Sequence, residues 1–153
     1  MKKNASLVIG FLFCVLPYVF NPAVAKNEST LIISQHFNEF QFEGSDIDPP
    51  RPEHSSFKHI HIGSYATAAR VAYRVEIWEA IDSASLTAGM IKIKPFLENA
   101  TIGGLNVFRA ERGIAYTSTR FLIFITPPND KKITESDPVF RGYLQKYPVS
   151  TDQ

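Results

Sequence analysis

From residue 57 onward, apolar and polar residues tend to change place at every second position, which is the period of a strand that buries one face. Val71, Tyr73, Val75 and Ile77 alternate with Arg70, Ala72, Arg74 and Glu76. A helix is the rival there, because Ala68, Val71, Ala72, Val75 and Trp78 share one helical face. The β-branched content favours the strand. Ile60 and Ile62 alternate with His59 and His61, and Ile91 and Ile93 with Lys92 and Lys94, so each pair predicts a further strand. In the first of these the isoleucines point inward, and the two histidines form the outward polar face. Leu105 to Glu111, Gly113, and Ile114 onward read as two strands joined by a tight turn, where glycine accepts a positive φ.

The stretch 121–125, Phe-Leu-Ile-Phe-Ile, is apolar on both faces and predicts a central strand covered on both sides. One cover is a C-terminal helix. Asp137 is placed to cap it and Pro138 suits its first position. Phe140, Tyr143, Leu144 and Tyr147 then recur at helical spacing, and Pro148 ends the run. Leu31–Ser34 and Phe37–Phe42 predict one or two edge strands. Two proline-bearing breaks punctuate the chain, Gly44–Pro52 within a proline-rich loop at about 44–56, and Thr126–Lys132. The prolines of the first lack the amide proton that a central strand needs. The predicted fold is mainly β (α+β): a single antiparallel sheet, curved or sandwiched, with a short C-terminal helix packed on it.

The first residues follow a different pattern. Lys2 and Lys3 precede an almost wholly apolar, uncharged run from Leu7 to Phe20, interrupted by Pro17, and Ala23-Val24-Ala25 follows it. That order of charge, apolar run and small residues predicts an export signal over residues 1–25, removed after Ala25. The run is shorter than the roughly 20 residues of a membrane-spanning helix. Residues 26–153 then form one globular β-rich domain without a transmembrane span. The only cysteine, Cys14, falls within the signal, so the exported domain has neither disulfide nor thiol nucleophile. That leans towards a bacterial periplasm or bacterial secretion, because exported domains of this size elsewhere are commonly bridged. Loss of Lys2 and Lys3 takes the basic residues from 16 to 14, against 15 acidic ones. Such a balance gives no whole-domain field for nucleic acid or for an acidic membrane.

Candidate chemistry is sparse. His59 and His61 stand two apart on one strand, about 7 Å between Cα atoms, a spacing that suits two ligands of one metal. With His54 or His36, and a carboxylate such as Glu53 or Glu76, they form a candidate zinc or copper set or an acid–base pair. Arg70 and Arg74, Lys92 and Lys94, and then Arg109, Arg112 and Arg120 recur on predicted outward faces, a candidate stripe for an anionic ligand such as a phosphorylated glycolipid or acidic polysaccharide. Glu76, Glu98 and Glu111 interleave with them. There is no nucleophile elbow and no phosphate loop. These features point to an exported, non-catalytic binding domain with a protein or an envelope glycan or glycolipid as its partner. The alternatives are a small exported hydrolase or metal-binding protein using His59 and His61, and a carrier of a small apolar ligand.

Overall fold

A computed structural model describes residues 28–151; the expected signal, residues 1–25, lies outside the described residues. Seven strands form one open antiparallel sheet in the order β1-β2-β3-β7-β6-β5-β4. In chain order these are β1 (Gln41–Asp48), β2 (Phe57–Ala66) and β3 (Ala72–Ala80), then helix α1 (Ser83–Ile93), then β4 (Glu98–Ile102), β5 (Leu105–Arg109), β6 (Ile114–Ser118) and β7 (Phe121–Thr126), and last helix α2 (Pro138–Lys146). The first three strands are a meander. α1 carries the chain to the far edge, and β4 to β7 meander back until β7 pairs with β3. Among the described residues no helix is long and apolar enough to cross a membrane.

The mainly β expectation holds, and so do its clearest parts. β3 is a strand with Tyr73, Val75 and Ile77 buried. β7 is central, with β3 and β6 as neighbours. Its Ile123 and Ile125 belong to the core under α2, while Leu122 belongs to the core under α1. Asp137 caps α2 by accepting bonds from the Val139 and Phe140 amides at 3.1 Å, which satisfies two amides that the first turn leaves without helical partners. Gly113 makes the β5–β6 turn with φ +101°, and a Cβ there would strike the Ile125 carbonyl.

Three expectations are corrected. Ile91–Lys94 is not a strand; Ile91 to Ile93 closes α1 and Lys94 opens a short 3-10 turn. The isoleucine alternation there is short, whereas Leu86, Gly89, Met90 and Ile93 keep helical spacing, and Asp82 caps the helix by accepting the Ser85 amide at 2.7 Å. That bond holds the Asp82 carboxyl below the usual carboxylate range. Gly44–Asp48 is not loop but most of edge strand β1, which bulges between Phe42 and Gly44; the loop proper is confined to the prolines that follow. Of Leu31–Ser34 and Phe37–Phe42, expected as edge strands, only Gln41 and Phe42 are strand, at the start of β1; residues 31–40 form an irregular segment with one isolated bridge, Phe37 to Phe40.

The two faces of the sheet have separate cores. The α2 face combines Ile32, Phe37 and Phe40 of that irregular segment with Tyr65, Tyr73, Tyr116, Ile123 and the α2 residues Val139, Phe140 and Tyr143. The α1 face holds a smaller core of Phe57, Ala80, Leu86, Ile93, Phe108, Ala115 and Leu122. α1 sits close because position 89 is glycine; a Cβ there would come within 2.7 Å of the Phe57 ring.

Candidate functional site

The register of β2 decides the fate of its histidines. His61 stands opposite Ile77, and residues directly opposite in an antiparallel pair point to the same face. His61 therefore lies on the α2 face and is buried with only 6 % exposed; Ile60 and Ile62 take the other face. The expected outward His59–His61 face is thus corrected for His61. The reason is that both faces of β2 are covered at this point, the α2 face by the segment around Ser29.

His61 sits in a chain of four polar side chains. Ser29 Oγ is 2.7 Å from its Nδ1, and Glu79 Oε2 is 3.0 Å from its Nε2. Glu79 Oε1 in turn accepts from Arg120 at 2.9 Å. An ionised carboxylate only accepts, so Nε2 carries the hydrogen, and in the neutral ring the Ser29 hydroxyl donates to Nδ1. Serine, histidine and carboxylate follow one another in the order of a hydrolytic triad, but the surroundings do not make the serine a working nucleophile. Ser29, His61 and Glu79 are all buried. The Leu31 amide donates into the Ser29 oxygen, and the Ser29 amide is taken by Ser45 Oγ. Acyl transfer needs space for a carbonyl beside the oxygen and free donors for the oxyanion. The chain instead ties the segment at Ser29 to β1, β2, β3 and the β6–β7 turn.

The other histidines are scattered. The His59 and His61 rings are 6.0 Å apart, but His61 is engaged as described. His54 lies against Trp78, ring centroids 5.0 Å apart, on the opposite face from His61. His36 Nδ1 accepts the Phe42 amide. Among the described residues no group of three or more histidine, cysteine, aspartate or glutamate side chains is placed to hold a metal ion.

The expected basic stripe is also divided. Arg74 pairs with Glu76 at 2.8 Å on β3. Arg70 is in the β2–β3 turn with φ +62°. Arg120 belongs to the buried chain. Lys92 and Lys94 belong to α1 and the turn that follows it, not to a strand beside β3. A polar cleft on the α1 face, lined by Asp48, Arg51, His54, Arg74, Glu76 and Trp78, encloses about 320 Å³. Glu76 fills much of its bonding capacity internally, accepting from Arg74 and from Trp78 Nε1.

The most open apolar feature is around α1. Ile81, Ile91 and Phe96 are the large apolar side chains exposed among the described residues, at 64, 72 and 81 %. Ile81 leads into α1, Ile91 lies on its outer side and Phe96 leaves the turn after it. Beside them a groove of about 560 Å³ runs between α1 and the sheet, lined by Leu86, Met90, Ile91 and Phe108, by Lys94, and by five serine and threonine residues. Lys94 Nζ lies 5.9 Å from the centroid of the Phe108 ring. Sequence reasoning singled out Lys92 and Lys94 but placed them on the wrong element. The Asp82 cap and the Leu86–Met90–Ile93 spacing were the signals that would have found the helix.

Architecturally this is an α+β protein with one open antiparallel sheet, sealed on one face and only partly covered on the other. Compared with protein-family models, with curated proteins and with solved structures, the chain matches none.

Proposed function

We propose that this chain is an exported, non-catalytic binding domain that presents the α1 flank to an anionic, partly apolar partner in the envelope. The observation that carries the reading is that Ile81, Ile91 and Phe96, all exposed, fall before, on and after one short helix. Isolated exposed apolar residues are ordinary, but several along one helix that borders a partly apolar groove point to an interaction surface. Charge selects the partner's sign. α1 contains no acidic residue, while Lys92 and Lys94 stand at its C-terminal end. Export rests on the leader pattern of residues 1–25, and the non-catalytic reading on the sealed surroundings of Ser29 and His61.

Because Cys14 is the only cysteine, single cysteines test the surface directly. Phe96→Cys is expected to react more slowly with a membrane-impermeant maleimide in the cells that make the protein than after purification. Gln35→Cys, on the covering segment of the α2 face, is expected to react equally in both settings. Equal reaction of Phe96→Cys in cells and in purified protein would remove the docking surface.

A further inference from the structure

We infer that the partner of the α1 flank is an anionic lipid surface, on which α1 lies in the plane of the interface; the inference rests on the docking reading just given. At about 1.5 Å per residue, the 11 residues of α1 make a short rod suited to lying on a bilayer rather than crossing it. Its inner side is set by Leu86, Gly89 and Ile93, which are buried. At 100° per residue the outermost line is then Ala84, Thr87, Ala88 and Ile91, all exposed and none charged. Helical geometry places Lys92 on one side of this line and Lys94 on the other. Ile81 and Phe96, also exposed, precede and follow the helix. An apolar outer face bordered by lysines is the pattern of an interfacial helix, whose lysine stems lie along the apolar band while their ammonium groups reach the phosphates.

Lipid is favoured over a protein partner by what the flank lacks. A specific protein interface carries side-chain hydrogen-bonding groups near its centre. Here the one hydroxyl on the outer line, that of Thr87, donates to the Ser83 carbonyl of its own helix at 3.0 Å. Along this outer line and its borders, what remains for a partner is apolar surface and ammonium; the other hydroxyls of the flank, among them those of Ser83, Thr117 and Thr119, line the groove beside it. The nearby acids stand away from the two lysines: Asp82, which keeps its negative charge while it caps the helix, lies at the opposite end of α1, and Glu98 stands opposite Arg109, on the α2 face of the sheet. The groove between α1 and Phe108 adds a volume within the range of small-ligand pockets, with Lys94 in its lining, and so offers room for an acyl chain drawn from that surface.

The test is flotation of the purified protein with vesicles of phosphatidylcholine alone and of a phosphatidylcholine–phosphatidylglycerol mixture. The protein is expected to float with the mixture, to remain behind with phosphatidylcholine, and to be released by salt. Each lysine beside an anionic surface contributes about fivefold in partitioning, so K92E/K94E is expected to weaken binding by at least about twentyfold. I91D/F96D is expected to weaken it by about tenfold or more for each residue withdrawn. All four positions are exposed, and an unchanged melting transition confirms that each variant is folded. The inference is overturned by no flotation with the mixture, by equal flotation of either double variant, or by a dimer in solution that I91D/F96D abolishes. If flotation fails while Phe96→Cys is still protected in cells, lipid is the wrong occupant and the docking surface stands. If neither is seen, both readings fall.

Discussion

The two faces of the sheet are built from different chemistry. On the α2 face, buried tyrosines join their hydroxyls to the backbone. The Ile33 amide donates to the Tyr143 oxygen, Tyr143 donates to Tyr65, and Tyr65 returns a bond to the Ile33 carbonyl, the last two at 2.5 Å. Tyr147 reaches the Leu31 carbonyl and Tyr73 reaches Asp137. On the α1 face the buried core contains no tyrosine, and much of its cover is a helix with apolar side chains facing solvent. A core in which apolar packing and hydrogen bonds specify one another defines a single arrangement. A looser face can afford an exposed surface for a partner. The hydrogen-bonded core thus lies under α2, and the surface proposed for recognition lies around α1.

High pH should strike the two faces most unequally. Burial raises the pKa of Tyr65, Tyr73 and Tyr116 above the ordinary value of 10.0, and pushes Tyr143 and Tyr147 up to about 12. Hydrogen bonding to Asp137 adds to the shift of Tyr73. Below pH 10 the folded and unfolded chains both hold these protons, and their contribution to stability is complete. Above pH 10 the unfolded chain releases protons that the folded chain keeps, so stability falls as pH rises, until the folded groups themselves titrate. Each tyrosine titrating only in the unfolded state withdraws about 1.4 kcal/mol per pH unit. Counting only Tyr65, Tyr116 and Tyr143, the loss is about 4 kcal/mol per unit above pH 10. Phenolate absorbance and loss of β-sheet circular dichroism should rise together in one steep transition. Gradual phenolate formation in a chain that keeps its sheet would refute the sealed tyrosine core.

Truncation on each face gives the next largest contrast. Phe140 is fully buried under α2 and makes an edge-on contact with Tyr116, centroids 6.1 Å apart. Phe140→Ala should cost about 3–5 kcal/mol, from lost transfer energy and the cavity left behind. Met90 is only half-buried beneath α1, and Met90→Ala should cost about 1 kcal/mol, because part of its surface is already in water. Urea unfolding measures both. Equal losses would mean that the α1 face is as tightly sealed as the other.

The elements that could be read in the sequence are those whose pattern is local. β3, β7 and the capped α2 each carry their period and end signals within a few residues. α1 was missed because Ile91-Lys92-Ile93-Lys94 imitates a strand over four positions, while the helical spacing that outweighs it needs eight. The exposed flank was missed with it, since the exposed Ile91 and Phe96 fall on one flank of the sheet only once a helix and a turn replace the strand. The Ser29–His61–Glu79–Arg120 chain had no local signal at all. Its members are 32, 18 and 41 residues apart, and only sheet register and the path of an irregular segment bring them together.

That chain fastens residue 29 to the sealed face, and its contribution can be separated from packing. His61→Phe keeps the ring but leaves the Ser29 hydroxyl and Glu79 without their partner, at an expected cost of about 2–3 kcal/mol. Glu79→Gln should cost less, because its one remaining acceptor oxygen can hold Arg120 while its amide donates to Nε2 once the imidazole hydrogen moves to Nδ1 and is accepted by Ser29. The coupling between Ser29→Ala and His61→Phe in a double-mutant cycle should be about 1 kcal/mol, and cleavage by added protease near residue 29 should accelerate in His61→Phe. A coupling near zero would show that the serine and histidine do not act together.

The smallest effect sharpens the comparison most, because it has the opposite sign. Tyr116 is fully buried in the centre of the α2 core, and its hydroxyl is shielded from solvent without a hydrogen-bond partner. Tyr65 has the same surroundings but belongs to the closed ring with Ile33 and Tyr143. Removing a hydroxyl that has partners leaves those partners unpaired, so Tyr65→Phe should cost about 1–2 kcal/mol. Removing one that lacks them relieves a desolvation penalty while keeping nearly all of the apolar contact, so Tyr116→Phe should be neutral or stabilising by up to about 1 kcal/mol. Two chemically identical changes in one core would then move the urea midpoint in opposite directions. A loss on Tyr116→Phe as large as that on Tyr65→Phe would mean that the Tyr116 hydroxyl is bonded, through a water within the core, and that the α2 face is less dry than its packing implies.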